Sequence, residues 1–118
     1  MERALRKCKA EDITLVVAAG NDGAFRTLDS LVPQAFGTDD RFSMITVGGV
    51  DEAGKYYRDT VQGKEGLGGQ VDIYADAVKV VAAKHDENDD STKTSDGTSA
   101  AAPAIVSTDC HFDPYIGY

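Results

Sequence analysis

The 118-residue sequence has little proline, little cysteine and almost no histidine: three prolines, two cysteines, and histidines only at positions 85 and 111. Twelve glycines against three prolines exclude a disordered low-complexity tract and point to many tight turns. Cys8 and Cys110, so far apart in the chain, do not make a disulfide framework; they read as two isolated thiols, which leaves the redox compartment open. No apolar run approaches membrane-spanning length, and the basic stretch from Met1 to Lys9 has no hydrophobic segment behind it, so neither a membrane span nor a secretory signal is expected here. Basic residues are also in deficit, 12 Lys and Arg against 20 Asp and Glu for a net charge of −8, and that field repels phosphate backbones. Nucleic acid and membrane are therefore not expected as partners. At this length the chain is one domain at most, able to bury about two-thirds of the surface of its unfolded form.

What is present follows α/β logic. Residues 2 to 12 place Ala4, Leu5 and Cys8 at helical spacing among charges, which predicts a short amphipathic helix with Cys8 on its buried side. Ile13 to Ala19 is a compact run rich in β-branched residues and ends in Gly20-Asn21-Asp22-Gly23, as a buried strand followed by a tight turn would. Further strands are expected at Met44 to Val50 and Val71 to Tyr74, with Val78 to Ala82 a fourth candidate. Asp39-Asp40 and Gly63 to Gly69 have the composition of surface loops. From His85 to Asp96 the chain is polar, and the apolar helical pattern resumes with Ala100, Ala101, Ala102, Ile105 and Val106, which predicts a helix starting near Ser99 after a long loop. Beyond Ser107 the character changes, and Pro114 would break any continuation.

The start of that last helix is where chemistry is expected. N–H groups in the first turn lack intrahelical partners and the helix dipole is positive there, so a serine at that place sits where a developing oxyanion can be stabilised. Ser99 holds this position in Ser95-Asp96-Gly97-Thr98-Ser99-Ala100-Ala101-Ala102-Pro103. Gly97 has no side chain to keep a substrate backbone away, and the alanines allow close packing on a sheet. Pro103 has no N–H to give the Ser99 carbonyl, which disturbs the first turn. From the residues alone the stretch is more readily read as a small-residue loop leading to an N-capped helix. Asn21 is similarly ambiguous: an amide at the end of a parallel strand points into the crevice where α/β folds bind ligands, yet Gly-Asn-Asp-Gly is also an ordinary turn.

Taken together the segments narrow the choice. Gly97-Thr98-Ser99-Ala100-Ala101-Ala102-Pro103 resembles the nucleophile motif of the subtilisin-like serine peptidases, and Val16-Val17-Ala18-Ala19-Gly20-Asn21 resembles the strand of that family that ends in its oxyanion-hole asparagine. Ile45 to Asp51 and Val71 to Ala75 are similar to the strands that follow, in family order, so the resemblance extends over roughly residues 4 to 107. It implies an α/β fold, a mostly parallel sheet with helices on both faces, here incomplete. It implies Ser99 as acylating nucleophile, with its own N–H and the Asn21 amide holding the oxyanion and Thr98 adding a hydroxyl. It makes Ala18, Ala19 and Gly20 one wall of the pocket for the side chain before the scissile bond, near Gly97. The substrate would be a peptide or protein, and acyl transfer to serine and then water needs no cofactor.

The departures are as informative. The family's catalytic aspartate and histidine precede its oxyanion asparagine, and nothing before Asn21 matches either motif. His85 and His111 follow Asn21, neither precedes a glycine, and both read as ordinary exposed residues. Ala75-Asp76-Ala77 stands where the family has Ala-Pro-Gly. The expectation is thus residues 1–107 as the C-terminal part of a peptidase domain, with 108–118 a tail that does not match, inert unless the missing part of the domain acts as partner. Two rivals stand beside it: a remnant that keeps the crevice as a binding protein, and a small α/β binding domain unrelated to peptidases. Asp86-Glu87-Asn88-Asp89-Asp90 begins like a calcium loop, but Ser91 and Gly97 occupy the positions that need glycine and a closing acid, so no metal site is expected. Gly20 to Gly23 lacks the third glycine or the lysine of a phosphate-binding loop.

Overall fold

The computed structural model describes residues 1–84 and 91–111; His85, the acidic run 86–90 and the tail from Phe112, Pro114 included, lie outside them, and the side chains of residues 109–111 are likewise not described. Helix α1, Glu2–Ala10, forms where the sequence predicts it, with Glu2 and Arg6 paired at 2.9 Å one turn apart. Leu5 is its buried residue, while Cys8 is half-buried and a free thiol. Asp12 adopts a left-handed conformation (φ 62°), and Ile13 N–H reaches back to the Cys8 carbonyl at 2.8 Å, closing the helix end. That closure uses Ile13, which stays 46% exposed, and strand β1 accordingly spans Leu15–Ala18 rather than starting at Ile13.

Strands β1, β2 (Met44–Val50) and β3 (Ile73–Asp76) form a parallel sheet in that order, with Leu15 opposite Met44 and Val47 opposite Ile73. β3 begins two residues later than its apolar run because the Asp72 carboxylate accepts the Thr46 N–H at 2.8 Å, so a side chain takes the place of a ladder bond. Side chains alternate across the sheet. One face puts Val16, Ile45, Val47 and Ala75 against Ala101, Ala102 and Ile105 of helix α2, Thr98–His111. The other carries Ala19, packed with Leu28, Leu31, Val61 and Val71 under two 3-10 turns, Leu28–Ser30 and Gln34–Phe36. The mostly parallel α/β architecture expected from the sequence is therefore present, and α2 runs through Pro103 to His111.

The sheet meets its neighbours closely at Gly48 and Gly49. A Cβ built at Gly49 would stand 2.4 Å from the Cβ of Ala77, itself fully buried, and 3.0 Å from that of Tyr57. Gly49→Ala should lower stability by about 1–3 kcal/mol through overpacking, seen as a lower urea midpoint with unchanged slope. An unaltered midpoint would show that Ala77 can give way.

The fourth candidate strand is β4, Val80–Ala83, but it lies outside the parallel sheet: it pairs antiparallel with β5, Thr92–Ser95, inside the stretch expected to be loop. Both strands are largely exposed, and Lys79 N–H donates to Asp96 Oδ1 at 2.7 Å to close their open end. Gly63 to Gly68 is surface loop as expected, whereas Gly69 is buried. In the loop at Asp39-Asp40, Arg41 hydrogen-bonds the Asp39 carboxylate and holds its pKa down to about 2. Among the described residues no helix is long and apolar enough to cross a membrane.

Candidate active site

The site is built where β1 ends and α2 begins. Ala19 N–H still bonds to the Val47 carbonyl at 2.9 Å, and Gly20 then turns the chain with φ 106°, so that Asn21 stands exposed at the C-terminal edge of the sheet. α2 is brought to the same place from β3: Ala77 N–H bonds to the Val50 carbonyl at 2.9 Å, and Gly97 N–H bonds to the Ala77 carbonyl at 2.7 Å. Gly97 has φ 127°, and a Cβ there would lie 3.1 Å from Asn21 Nδ2 and 3.3 Å from Oδ1. Only glycine fits this backbone without strain and without displacing Asn21.

Thr98 locks the two ends together. It is fully buried; its Oγ1 accepts the Gly20 N–H at 3.0 Å and donates to Asn21 Oδ1 at 3.1 Å, and its own N–H donates to the same Oδ1 at 2.9 Å. The backbone N–H can only donate, so it fixes which end of the Asn21 amide is the oxygen. Nδ2 is therefore turned away, with no partner among the described residues. Ala100 N–H bonds to the Gly97 carbonyl at 3.0 Å, whereas Ser99 N–H and Ser99 Oγ have no partner among the described residues. The arrangement leaves two donors without partners among the described residues, Ser99 N–H and Asn21 Nδ2, and an exposed hydroxyl at the positive end of a helix.

Asn21, Thr98, Gly97 and Gly20 are thus brought together at the start of α2, next to Ser99, and Ser99 with Ala18, Ala102 and Val106 lines an open groove of about 490 Å³ between β1 and α2. Ala19 is fully buried beside Leu28 and Val61, so its side chain belongs to the core. The Thr98 hydroxyl hydrogen is directed at Asn21. Gln34, which sequence reasoning did not single out, donates from Nε2 to the Ala18 carbonyl at 2.8 Å; the contact spans 16 residues and no local pattern announces it. His111 sits twelve residues beyond Ser99 on α2, about 18 Å by helical rise, too far to serve it as a base. Among the described residues no group of three or more His, Cys, Asp or Glu is placed to hold a metal.

Comparison with known proteins accords with this geometry. A search of curated proteins found no match. Among solved structures, the prenylagaramide maturation protease PagA superposes with a TM-score of 0.67 at 26% identity, over 89% of this chain and 34% of that one. The self-cleaved protease domain of PatA gives 0.65 at 29% identity, over 89% and 35%. The patellamide maturation protease PatG gives 0.68 at 21% identity, over 90% and 30%, and shows likeness of fold. The chain thus spans about a third of the length of these structures. The subtilase family of peptidases (S8) matches residues 1–107, and with that match over most of its length the chain belongs to the subtilase family.

Proposed function

We propose that this chain supplies the nucleophile and the oxyanion hole of a serine endopeptidase. Ser99 Oγ attacks the carbonyl carbon of a peptide bond, and the oxygen that becomes negative is received by Ser99 N–H and Asn21 Nδ2. The amine leaves, and water then hydrolyses the ester on Ser99. Thr98 acts as a positioning residue: its buried hydroxyl and N–H orient the Asn21 amide. Ala18 and Gly20 border the bound peptide, and Gly97 leaves room for Asn21. The base that takes the Ser99 proton, and the carboxylate that orients it, are assigned in this reading to another segment of the domain, because no segment before Asn21 resembles the family's aspartate or histidine motif.

The observation that carries this reading is the lock of Thr98 on Asn21 Oδ1, which leaves Nδ2, like the N–H of the neighbouring Ser99, without a partner among the described residues. Membership of the family and likeness to two proteases at 26% and 29% identity support it. In the domain assembled from these residues and a segment bearing the histidine and aspartate, Ser99→Ala should abolish peptide hydrolysis, by about a millionfold in kcat, the loss known for the serine of subtilisin itself. Hydrolysis that survives Ser99→Ala would refute the assignment, and an assembled wild-type domain without hydrolysis would favour a crevice kept for binding.

A further inference from the structure

We infer that Thr60 is a positioning residue that fastens the turn presenting Asn21 to strand β2; this rests on the reading of Asn21 as oxyanion donor. The Thr46 and Val50 carbonyls of β2 accept from Asp72 and Ala77 on the β3 side, and the Val47 carbonyl accepts from Ala19 on the β1 side, so by alternation Gly49 turns its backbone groups toward β1. β1, however, ends at Ala18, and the chain swings away at Gly20. Gly49 is buried, and its N–H and carbonyl need other partners there. The segment 57–61 supplies them. Tyr57 N–H donates to the Gly49 carbonyl at 2.7 Å, and Thr60 Oγ1 accepts the Gly49 N–H at 3.2 Å.

The same segment grips the turn on both sides of Asn21. Val61 N–H donates to the Gly20 carbonyl at 3.0 Å, and Gly23 N–H donates to the Asp59 carbonyl at 3.0 Å. The approach is close: a Cβ on Gly23 would stand 2.4 Å from the Thr60 carbonyl oxygen, and one on Gly20 would stand 3.2 Å from Val61 Cγ2. Thr60 N–H bonds to the Tyr57 carbonyl at 3.0 Å, so the segment is closed on itself and a shift of Thr60 carries Asp59 and Val61 with it. Thr60 and Val61 are both buried. Thr98 thus fixes the Asn21 amide, while the segment fixes the backbone from which that amide extends. Of these ties between β2, the segment and the turn, all but one join backbone to backbone, and the exception is the Thr60 hydroxyl on Gly49. That hydroxyl is where a side-chain substitution loosens the support and leaves the Gly49 N–H unpaired.

Kinetics of the assembled domain test this. Thr60→Val keeps the shape and loses the hydroxyl, and kcat for peptide hydrolysis should fall about tenfold with KM unchanged, part of the loss that removal of the donor itself would cause. Thr60→Ser keeps a hydroxyl and should hold kcat near wild type. In the Asn21→Ala background Thr60→Val should lower kcat no further, because Thr60 acts through Asn21. Where Asn21→Ala is itself impaired, a wild-type kcat in Thr60→Val, or a tenfold loss that persists in the double variant, would overturn the inference. The Asn21 side-chain amide signals in NMR report the support without catalysis: they should move in Thr60→Val and match wild type in Thr60→Ser, and signals that stay in place in Thr60→Val would overturn it. If they move while Asn21→Ala hydrolyses as fast as wild type, the support stands and the oxyanion reading alone falls. Should Thr60→Val not fold, hydrogen exchange of the wild-type domain decides: the Gly23, Gly49 and Val61 amides should be protected as those of β2 are, and unprotected exchange there would overturn the support.

Discussion

Incubated alone with a peptide substrate, the 118-residue chain should turn over about a millionfold more slowly than the assembled domain, the loss subtilisin suffers without its histidine. The reason is the acidity of serine. A free hydroxyl is almost wholly protonated at neutral pH, and without a base in hydrogen-bond reach its attack is no faster than that of any alcohol. Ser99 Oγ has no partner among the described residues, and His111 is placed about 18 Å along the same helix. The two donors proposed for the oxyanion, Ser99 N–H and Asn21 Nδ2, both belong to this chain, so slow turnover above the uncatalysed rate is expected to remain. Steady-state hydrolysis by the chain alone and in the assembled domain measures the difference. Comparable rates would mean that a base exists within these residues.

Substitutions at Asn21 should separate catalysis from stability. Asn21→Ala removes the proposed oxyanion donor and also the acceptor for Thr98 N–H and Oγ1–H. The assembled domain should then lose about 10²- to 10³-fold in kcat, the effect of the equivalent donor in subtilisin, and the chain about 1–3 kcal/mol for the buried groups left unpaired. Asn21→Asp keeps the acceptor, now charged and at the positive end of α2, while it loses the donor. Its stability should stay within about 1 kcal/mol of wild type, yet its kcat should fall as far as that of Asn21→Ala. Thermal or urea unfolding beside kcat measures both. If Asn21→Asp retained full activity, Nδ2 would not be the oxyanion donor.

The parts of this account legible in the sequence are those set by local pattern. The apolar run of β2 is continuous and lies in the middle of the sheet, so Met44–Val50 appears as expected. Elements set by long-range contacts were displaced. β3 starts at Ile73 because the Asp72 side chain bonds to Thr46, a partner 26 residues away. β5 is fully exposed and consists of Thr92, Lys93, Thr94 and Ser95, so no buried face gave it an alternating pattern. At the site, Ser99, Thr98 and Asn21 stood out through the resemblance of their segments, which come together although 77 residues separate Asn21 from Thr98. The second duty of Asn21, as acceptor at the start of α2, and the hydrogen bond from Gln34 to the Ala18 carbonyl, 16 residues away, depend on which atoms meet, and spacing in the chain does not encode it.

The most direct test of the central claim is intact-mass analysis after exposure to a fluorophosphonate probe, with the adduct mapped by peptide sequencing. The account predicts one adduct, on Ser99, formed rapidly in the assembled domain, barely in the chain alone, and in neither once Ser99 is alanine. An assembled, folded domain that remains unlabelled, or an adduct on another residue, would contradict it.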